Sequence, residues 1–287
     1  VRDPSRMAEV LNRVIEKAFR GSAPAQINVP RDYWTQVIDI ELPPIVRFER
    51  QGGGKEAIEN AAKLLSKAKF PVILSGAGVV LGGAIDECKK LAEKLDAPVC
   101  NGYQHNDSFP GSHPLAVGPL GYNGSKAAME LISKADVVLA LGTRLNPFST
   151  LPGYGIDYWP KKATIIQVDM NPDRIGLTKK VSVGICGDAK QVAQQILDKL
   201  SSDAGNTGRE ERKNLIHKTK SAWLQTLSGL DHEEDDPGTV WNKEARERDK
   251  DRMSPRQAWR AIQDALPQDA IISSDIGNNC AIGNAYP

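Results

Sequence analysis

The amino-acid sequence predicts an α/β fold in which a doubly wound, parallel, Rossmann-like sheet occupies residues 55–200. Helical hydrophobic patterns and short apolar runs alternate strictly along this stretch, as successive β-α units require. The apolar runs are nearly continuous, which is typical of strands that helices cover on both faces. Strict alternation of helix and strand therefore indicates a parallel sheet with right-handed crossovers.

The predicted elements follow one another at short intervals. A helix beginning at Lys55 precedes a strand at 71–74, whose last residue leads into a glycine-rich turn. The later elements are helix 84–95, strand 98–100, helix 126–134, strand 137–141, strands 163–168 and 181–185, and helix 189–200.

The two ends carry patterns too short to enclose a core. At the start, a helical face from Met7 to Phe19 precedes an apolar stretch at 25–30 that predicts a strand. At the end, Ser254-Pro255 predicts a helix start and residues 270–274 predict a strand. We expect one complete domain flanked by fragments of two others.

Two linkers are expected between these parts. Residues 36–54 contain a Pro-Pro pair and three consecutive glycines, which are turn and loop signals. Residues 201–252 are polar and dense in charge, with an apolar pattern at 215–227 that allows one helix.

Charge and cysteine usage exclude several classes of protein. The 37 basic and 36 acidic residues give a net charge of +1, which argues against nucleic acid or an anionic membrane as the main partner. No apolar stretch approaches the ~18 residues of a spanning helix. The four cysteines form no CxxC pair and the four histidines show no metal-ligand spacing, so we expect a reduced, cytoplasmic setting without a structural metal.

Candidate ligand residues follow the predicted strands, because parallel sheets bind ligands beyond the carboxyl ends of their strands. Gly76 and Gly78 could bring backbone amides to a phosphate, or could simply make a tight turn; their spacing is not GxGxxG. Arg144 suits a phosphate or ribose, or an interdomain salt bridge. Asp169 could accept a ribose hydroxyl or cap the next turn.

Two further polar segments attract attention. The loop 101–107 contains His105, which is either an acid–base group or an ordinary hydrogen-bonding residue. Near the end, Gly277 with Asn278 and Asn279 could hold an anion at a helix start, or only cap that helix. The residues alone support a Rossmann-like nucleotide-binding domain, which includes the alternative of a non-catalytic nucleotide-binding module.

Several strings together resemble the thiamine diphosphate enzymes of the acetolactate synthase group. They are Ala25 to Asp32, Gly76-Ala77-Gly78, His113-Pro114-Leu115, Gly121 to Gly124, Leu141 to Arg144, Val168 to Gly176, Gly187 to Lys190, and Met253 to Asn279. This resemblance implies the end of a pyrimidine-binding domain at 1–35, a central Rossmann-like domain at 55–200 and the start of a diphosphate-binding domain at 253–287.

Within this group, the chain is most similar to the sulfoacetaldehyde acetyltransferase branch. The strings that carry this are Asn101 to Pro110, Leu145 to Gly155 and Asp275 to Asn284. The branch implies conversion of sulfoacetaldehyde and phosphate to acetyl phosphate and sulfite in taurine and sulfonate breakdown. It implies thiamine diphosphate and Mg²⁺ as cofactors and a homo-oligomer, dimer or tetramer, with acetolactate synthase or another thiamine-dependent lyase as the alternative.

The resemblance also assigns residues. Gly277, Asn278 and Asn279 match the loop that touches the diphosphate, whereas the activating glutamate and the Mg²⁺ ligands are expected outside these 287 residues, leaving this fragment inactive alone. In flavin-carrying relatives, the positions of Gly76, Gly78, Arg144 and Asp169 line an FAD cleft. Asn146-Pro147-Phe148 departs from those relatives, so we expect a vestigial or weak nucleotide cleft without FAD. The loop 101–107 is a candidate for shaping the active-site rim.

Overall fold

The computed structural model describes residues 1–21, 23–44, 49–231, 253, 255–267, 269–275 and 277–285. These fall into two compact units, Val1–Arg50 and Gln51–Pro287. The predicted helix start at Ser254 and the residue Ile276 lie outside the described residues, as do residues 232–252 of the charged segment.

The described residues of the first unit form the α-helix α1 (Met7–Gly21) and two short 3-10 turns at Pro4–Arg6 and Arg31–Thr35. The strand predicted at 25–30 is wrong, because these residues form no strand. A strand requires a neighbour that accepts its hydrogen bonds, and the regular elements described in this unit are all helical. Residues 25–30 are therefore outside any strand.

The second unit is built on a six-stranded sheet in which every strand pair is parallel. The strands are β1 (Pro71–Ser75), β2 (Val99–Asn101), β3 (Ala116–Pro119), β4 (Val137–Leu141), β5 (Thr164–Asp169) and β6 (Val183–Cys186). Their order is β3-β2-β1-β4-β5-β6. The prediction of a doubly wound, Rossmann-like parallel sheet is confirmed, since this is the order of the dinucleotide-binding folds.

One strand of the sheet was not predicted. Strand β3 is only four residues long and ends in Gly118-Pro119, two residues that disfavour strands. Gly118 has a left-handed φ of +88°, and the pairing of β3 with β2 shifts register at Val99/Cys100. Tertiary pairing overrides the weak local signal here.

The connections from β2 to β3, from β4 to β5 and from β5 to β6, all of them within the described residues, contain no α-helix, so helix and strand do not alternate as strictly as the sequence predicts. Helices cover the sheet. They are α2 (Lys55–Lys67), α3 (Ala77–Gly82), α4 (Ile85–Leu95), α5 (Lys126–Ile132), α6 (Ala189–Lys199), α7 (Arg209–Asp231), α8 (Pro255–Ala265) and α9 (Asn278–Ala285). Every residue of β1 and β4 is buried. This confirms the prediction from their continuous apolar runs, which are typical of strands covered on both faces. Among the described residues, no helix combines the length and apolarity needed to cross a membrane.

The helix allowed within the charged segment is longer than its apolar pattern, running from Arg209 to Asp231. Its first turns hold Arg212, whose side chain is 1% exposed. The three guanidinium nitrogens donate to the carbonyl oxygens of Lys69, Leu95, Asp96, Gly205 and Thr207 at 2.5–2.9 Å. Because Lys69 and Asp96 precede β1 and β2, Arg212 fastens α7 to the amino ends of the central strands.

The far half of α7 packs beside the carboxy-terminal helices. Trp223 and Leu227 form a small apolar cluster with Ala127 of α5, and Trp259 of α8 and Ile282 of α9 pack against it. The strand predicted at 270–274 is wrong, because these residues form no strand. No neighbouring strand in the described part of the chain accepts their hydrogen bonds.

Candidate cofactor site

The order of the sheet reverses at β1, so the carboxyl ends of β1 and β4 flank the topological switch point where such sheets bind ligands. Gly76 and Gly78 follow β1 and Arg144 lies beyond β4, as the sequence predicts. Asp169 is the last residue of β5, the next strand across the sheet.

The two glycines bring the turns after β1 and β4 into direct backbone contact. The Gly76 N–H donates to the carbonyl of Leu141 at 3.1 Å, and the Gly78 N–H donates to that of Gly142 at 2.8 Å. A Cβ on Gly78 would lie 2.7 Å from the Gly142 Cα, so only glycine allows this approach. Both amides are engaged by the protein itself, which supports the tight-turn interpretation over a phosphate cradle.

Asp169 and Arg144 differ in burial: Asp169 is buried and Arg144 is exposed. Asp169 is 8% exposed, and its Oδ1 accepts from the Asn171 N–H at 2.8 Å. The Asn171 side chain in turn accepts from the Asp173 N–H at 2.9 Å. These contacts match the turn-capping alternative for Asp169. The Arg144 side chain is exposed to solvent.

The loop 101–107, here called the rim loop, is tied to the carboxyl edge of the sheet by buried polar groups. The Asn101 side chain donates to Ser108 Oγ at 2.9 Å, and Ser108 Oγ lies 2.7 Å from Ser75 Oγ at the end of β1. The Gly102 N–H donates to the Ser75 carbonyl at 2.7 Å. The backbone of His105 completes the turn, because its N–H donates to Gly102 and its carbonyl accepts from Ser108.

Two side chains of the rim loop reach helix α9. The Tyr103 hydroxyl and Cys280 Sγ share a hydrogen bond of 3.4 Å, and Asn106 Nδ2 donates to Asn284 Oδ1 at 3.0 Å. Asn284, which is 7% exposed, also donates to Cys280 Sγ. The hydrogen bond to Cys280, followed by burial, raises the pKa of Tyr103 to about 12. The sequence singled out the rim loop, but not the partners that it meets 177 and 178 residues later.

Gly277, Asn278 and Asn279, here called the cofactor loop, form the entry into α9. Gly277 is exposed and has a φ of +117°, a region that favours glycine. A Cβ placed on it would meet no atom within 4 Å. Asn278 is the first residue of α9, and Asn279 is exposed. An accessible glycine turn at the amino end of a helix suits an anionic group.

A cavity of about 380 Å³ lies beside the contact between the rim loop and α9. Asn106, Asn284, Trp223, Trp259 and Lys220 contribute to its lining. The Lys220 ammonium donates to the Pro114 carbonyl at 2.9 Å, and burial lowers its pKa. None of the four nucleotide-cleft candidates lines this cavity. The structure therefore brings the rim loop, not the switch-point residues, next to α9.

Metal-binding side chains are not gathered in this region. Among the residues that the structure describes, no three His, Cys, Asp or Glu side chains are grouped so that they could hold a metal ion.

Comparison with known proteins identifies the central part of the chain. A family model described as "Thiamine pyrophosphate enzyme, central domain" matches residues 58–196. Among solved structures, benzoylformate decarboxylase from Polynucleobacter necessarius superposes with a TM-score of 0.61 at 22% identity, covering 72% of this chain and 39% of that one. This likeness shows the shared fold.

Relatives similar over the full chain are more informative. The chain is 79% identical over 287 residues to the "Probable sulfoacetaldehyde acetyltransferase" of Rhizobium meliloti (strain 1021), covering 100% of this chain and 49% of the relative. It is 77% identical to the sulfoacetaldehyde acetyltransferase of Roseovarius nubinhibens, of which it covers 48%. Identity to the "Probable acetolactate synthase large subunit" of Methanocaldococcus jannaschii is 34%, over 80% of this chain and 38% of that protein.

The chain spans about half the length of the curated relatives it matches. The matched residues 58–196 coincide with the six-stranded sheet and the helices around it, and the similarity to sulfoacetaldehyde acetyltransferases extends on both sides of that sheet. Residues 58–196 therefore belong to the family of thiamine pyrophosphate enzyme central domains.

Proposed function

We propose that this chain is part of a thiamine diphosphate-dependent sulfoacetaldehyde acetyltransferase, which converts sulfoacetaldehyde and phosphate to acetyl phosphate and sulfite. The observation that carries the proposal is the 79% and 77% identity to two such enzymes over all 287 residues. Similarity to an acetolactate synthase is much lower, at 34%. The identity favours the acetyltransferase over its sister lyases and over a non-catalytic nucleotide-binding module.

The cofactor loop is the part of this chain that would hold thiamine diphosphate. Its left-handed Gly277 is open to solvent, and its backbone leads directly into helix α9, so that amide groups at the helix start can face a diphosphate. Asn278 begins the helix, and the exposed Asn279 supplies a further side-chain amide group there. When bound, thiamine diphosphate supplies a carbanion nucleophile and an electron sink. The residues present fit the diphosphate end of this cofactor.

The proposal assigns other parts of the chemistry to the rest of the enzyme. The Mg²⁺ ligands and the activating glutamate would come from outside this chain, in keeping with the relatives' double length. FAD is not expected, because the amides of Gly76 and Gly78 donate to neighbouring carbonyls. We further propose a cytoplasmic homo-oligomer, dimer or tetramer, since thiamine sites in this group form between subunits.

Sulfite release by the full-length protein tests the proposal. The protein is incubated with sulfoacetaldehyde, thiamine diphosphate and Mg²⁺, with and without phosphate, and sulfite and acetyl phosphate are measured. Phosphate-dependent formation of both products is expected, and omission of thiamine diphosphate is the control. Absence of sulfite together with acetolactate formation from pyruvate would replace the acetyltransferase by its sister enzyme.

A further inference from the structure

The rim loop is held to the edge of the sheet by several hydrogen bonds. Its ends are fixed by the buried pair Ser75–Ser108 and by Asn101, all of which are at most 4% exposed. The Tyr103 N–H adds a bond of 3.0 Å to Ser149 Oγ, which belongs to the turn after β4. Buried and satisfied polar networks of this kind hold one defined geometry. The rim loop therefore has a defined position relative to the sheet, and its side chains are placed accordingly.

The rim loop contacts the short helix α9 at two points, in its first turn and near its carboxyl end. Tyr103 meets Cys280, which directly follows the cofactor loop, and Asn106 meets Asn284 one turn later. Asn284 and Cys280 are themselves joined by a 3.4 Å hydrogen bond, so the four side chains form a continuous chain of contacts. On the other side of α9, a Cβ on Gly283 would lie 3.3 Å from the Trp259 ring, which leaves the helix little room to shift.

We propose that Tyr103 and Asn106 of the central domain are positioning residues for thiamine diphosphate, acting through Cys280 and Asn284 on the cofactor loop. Their side chains contact helix α9. They hold the start of α9 so that the loop backbone is already arranged for the diphosphate before it binds, which lowers the cost of ordering it. This inference rests on the proposed function, because it takes the cofactor loop as the diphosphate site.

Thiamine diphosphate affinity of the full-length protein, followed by quenching of intrinsic tryptophan fluorescence, tests the proposal. Tyr103→Phe removes one oxygen, and Asn106→Ala and Asn284→Ala each remove one side of the amide contact. Tyr103→Phe and Asn106→Ala each remove one hydrogen bond and are expected to bind the cofactor about fivefold more weakly, the factor that one ordinary hydrogen bond contributes. Asn284→Ala also removes the bond to Cys280, so its cofactor affinity should fall by at least the same factor. Asn106→Ala combined with Asn284→Ala is expected to be no weaker than Asn284→Ala alone, because both remove the same bond.

Asn171→Ala is the matched control, since it also removes a side-chain hydrogen bond after a central strand, but in the turn after β5. Its cofactor affinity is expected to equal that of the wild type, whatever its melting temperature. A loss of stability alone would lower the melting temperature of the variants and the control alike, without changing affinity at temperatures where all are folded. If Asn106→Ala or Asn284→Ala fails to fold, Tyr103→Phe carries the test.

The outcomes separate the two proposals. If the wild-type protein binds no thiamine diphosphate, the proposed function fails. If the wild type binds it and the folded variants bind it equally well, the positioning role is overturned while the proposed function stands. Weaker cofactor binding by the rim-loop variants, with the control unchanged and the double variant non-additive, supports the positioning role.

Discussion

Replacing Arg212 by methionine should remove a buried, five-bond attachment of α7 to the central sheet. The buried guanidinium donates to five carbonyl oxygens, two of which end helix α4 or directly follow it, where a positive charge is favourable. Burial lowers the pKa of Arg212, so part of the free energy of these hydrogen bonds is used to offset the desolvation of the guanidinium. A hydrogen bond to a charged group contributes about 1.5–3 kcal/mol, and each buried carbonyl left without its donor costs about 1–3 kcal/mol.

We take about 4 kcal/mol as the expected loss, which corresponds to about 8–16 °C in melting temperature for a unit of this size. Differential scanning calorimetry of the full-length protein measures it. Arg209→Met, one turn earlier on the same helix, is the matched control: Arg209 forms an ion pair with Asp96 but is 37% exposed, so its loss should cost less than about 1 kcal/mol. Equal shifts for the two variants would refute the assigned role of Arg212.

Three further predictions concern single sites. Gly78→Ala should destabilise the protein by about 1–3 kcal/mol in urea unfolding, because its Cβ would meet the Gly142 Cα at 2.7 Å; an unchanged midpoint would contradict the tight-turn role. Burial raises the pKa of Cys88 to about 12, so at pH 8 iodoacetamide should label the partly exposed Cys280 well before Cys88, as peptide mass spectrometry would show. Asp188→Ala should cost about 1 kcal/mol by removing the cap of α6, whereas Asp188→Asn should be nearly neutral in the same unfolding assay.

Local sequence patterns predicted the elements that bury continuous apolar runs. Strand β4 has the predicted bounds, 137–141, because each of its five residues is buried and apolar. The strands predicted at 25–30 and 270–274 are wrong, and in both segments polar residues interrupt or follow the apolar ones. Strand formation depends on a partner elsewhere in the chain, which a local pattern does not contain.

Candidate site residues were predicted from their position after strands, and the structure separates them by their surroundings. Gly76 and Gly78 do follow β1, but their amides donate to the turn after β4, a contact with residues more than sixty positions later. The cofactor loop remains a prediction supported by its glycine conformation and by the family resemblance.

The sequence by itself determined the parallel α/β class, the polar loops at the strand ends and the family, because periodicity, turn residues and long motifs are local properties of the chain. Only the tertiary structure decided the strand order, the five carbonyl partners of Arg212 and the meeting of the rim loop with α9. Tyr103 and Cys280 are 177 residues apart, and such a contact depends on how the intervening elements pack. Buried polar groups need hydrogen-bond partners, and these partners can come from any part of the fold, so the pattern of one segment does not predict them.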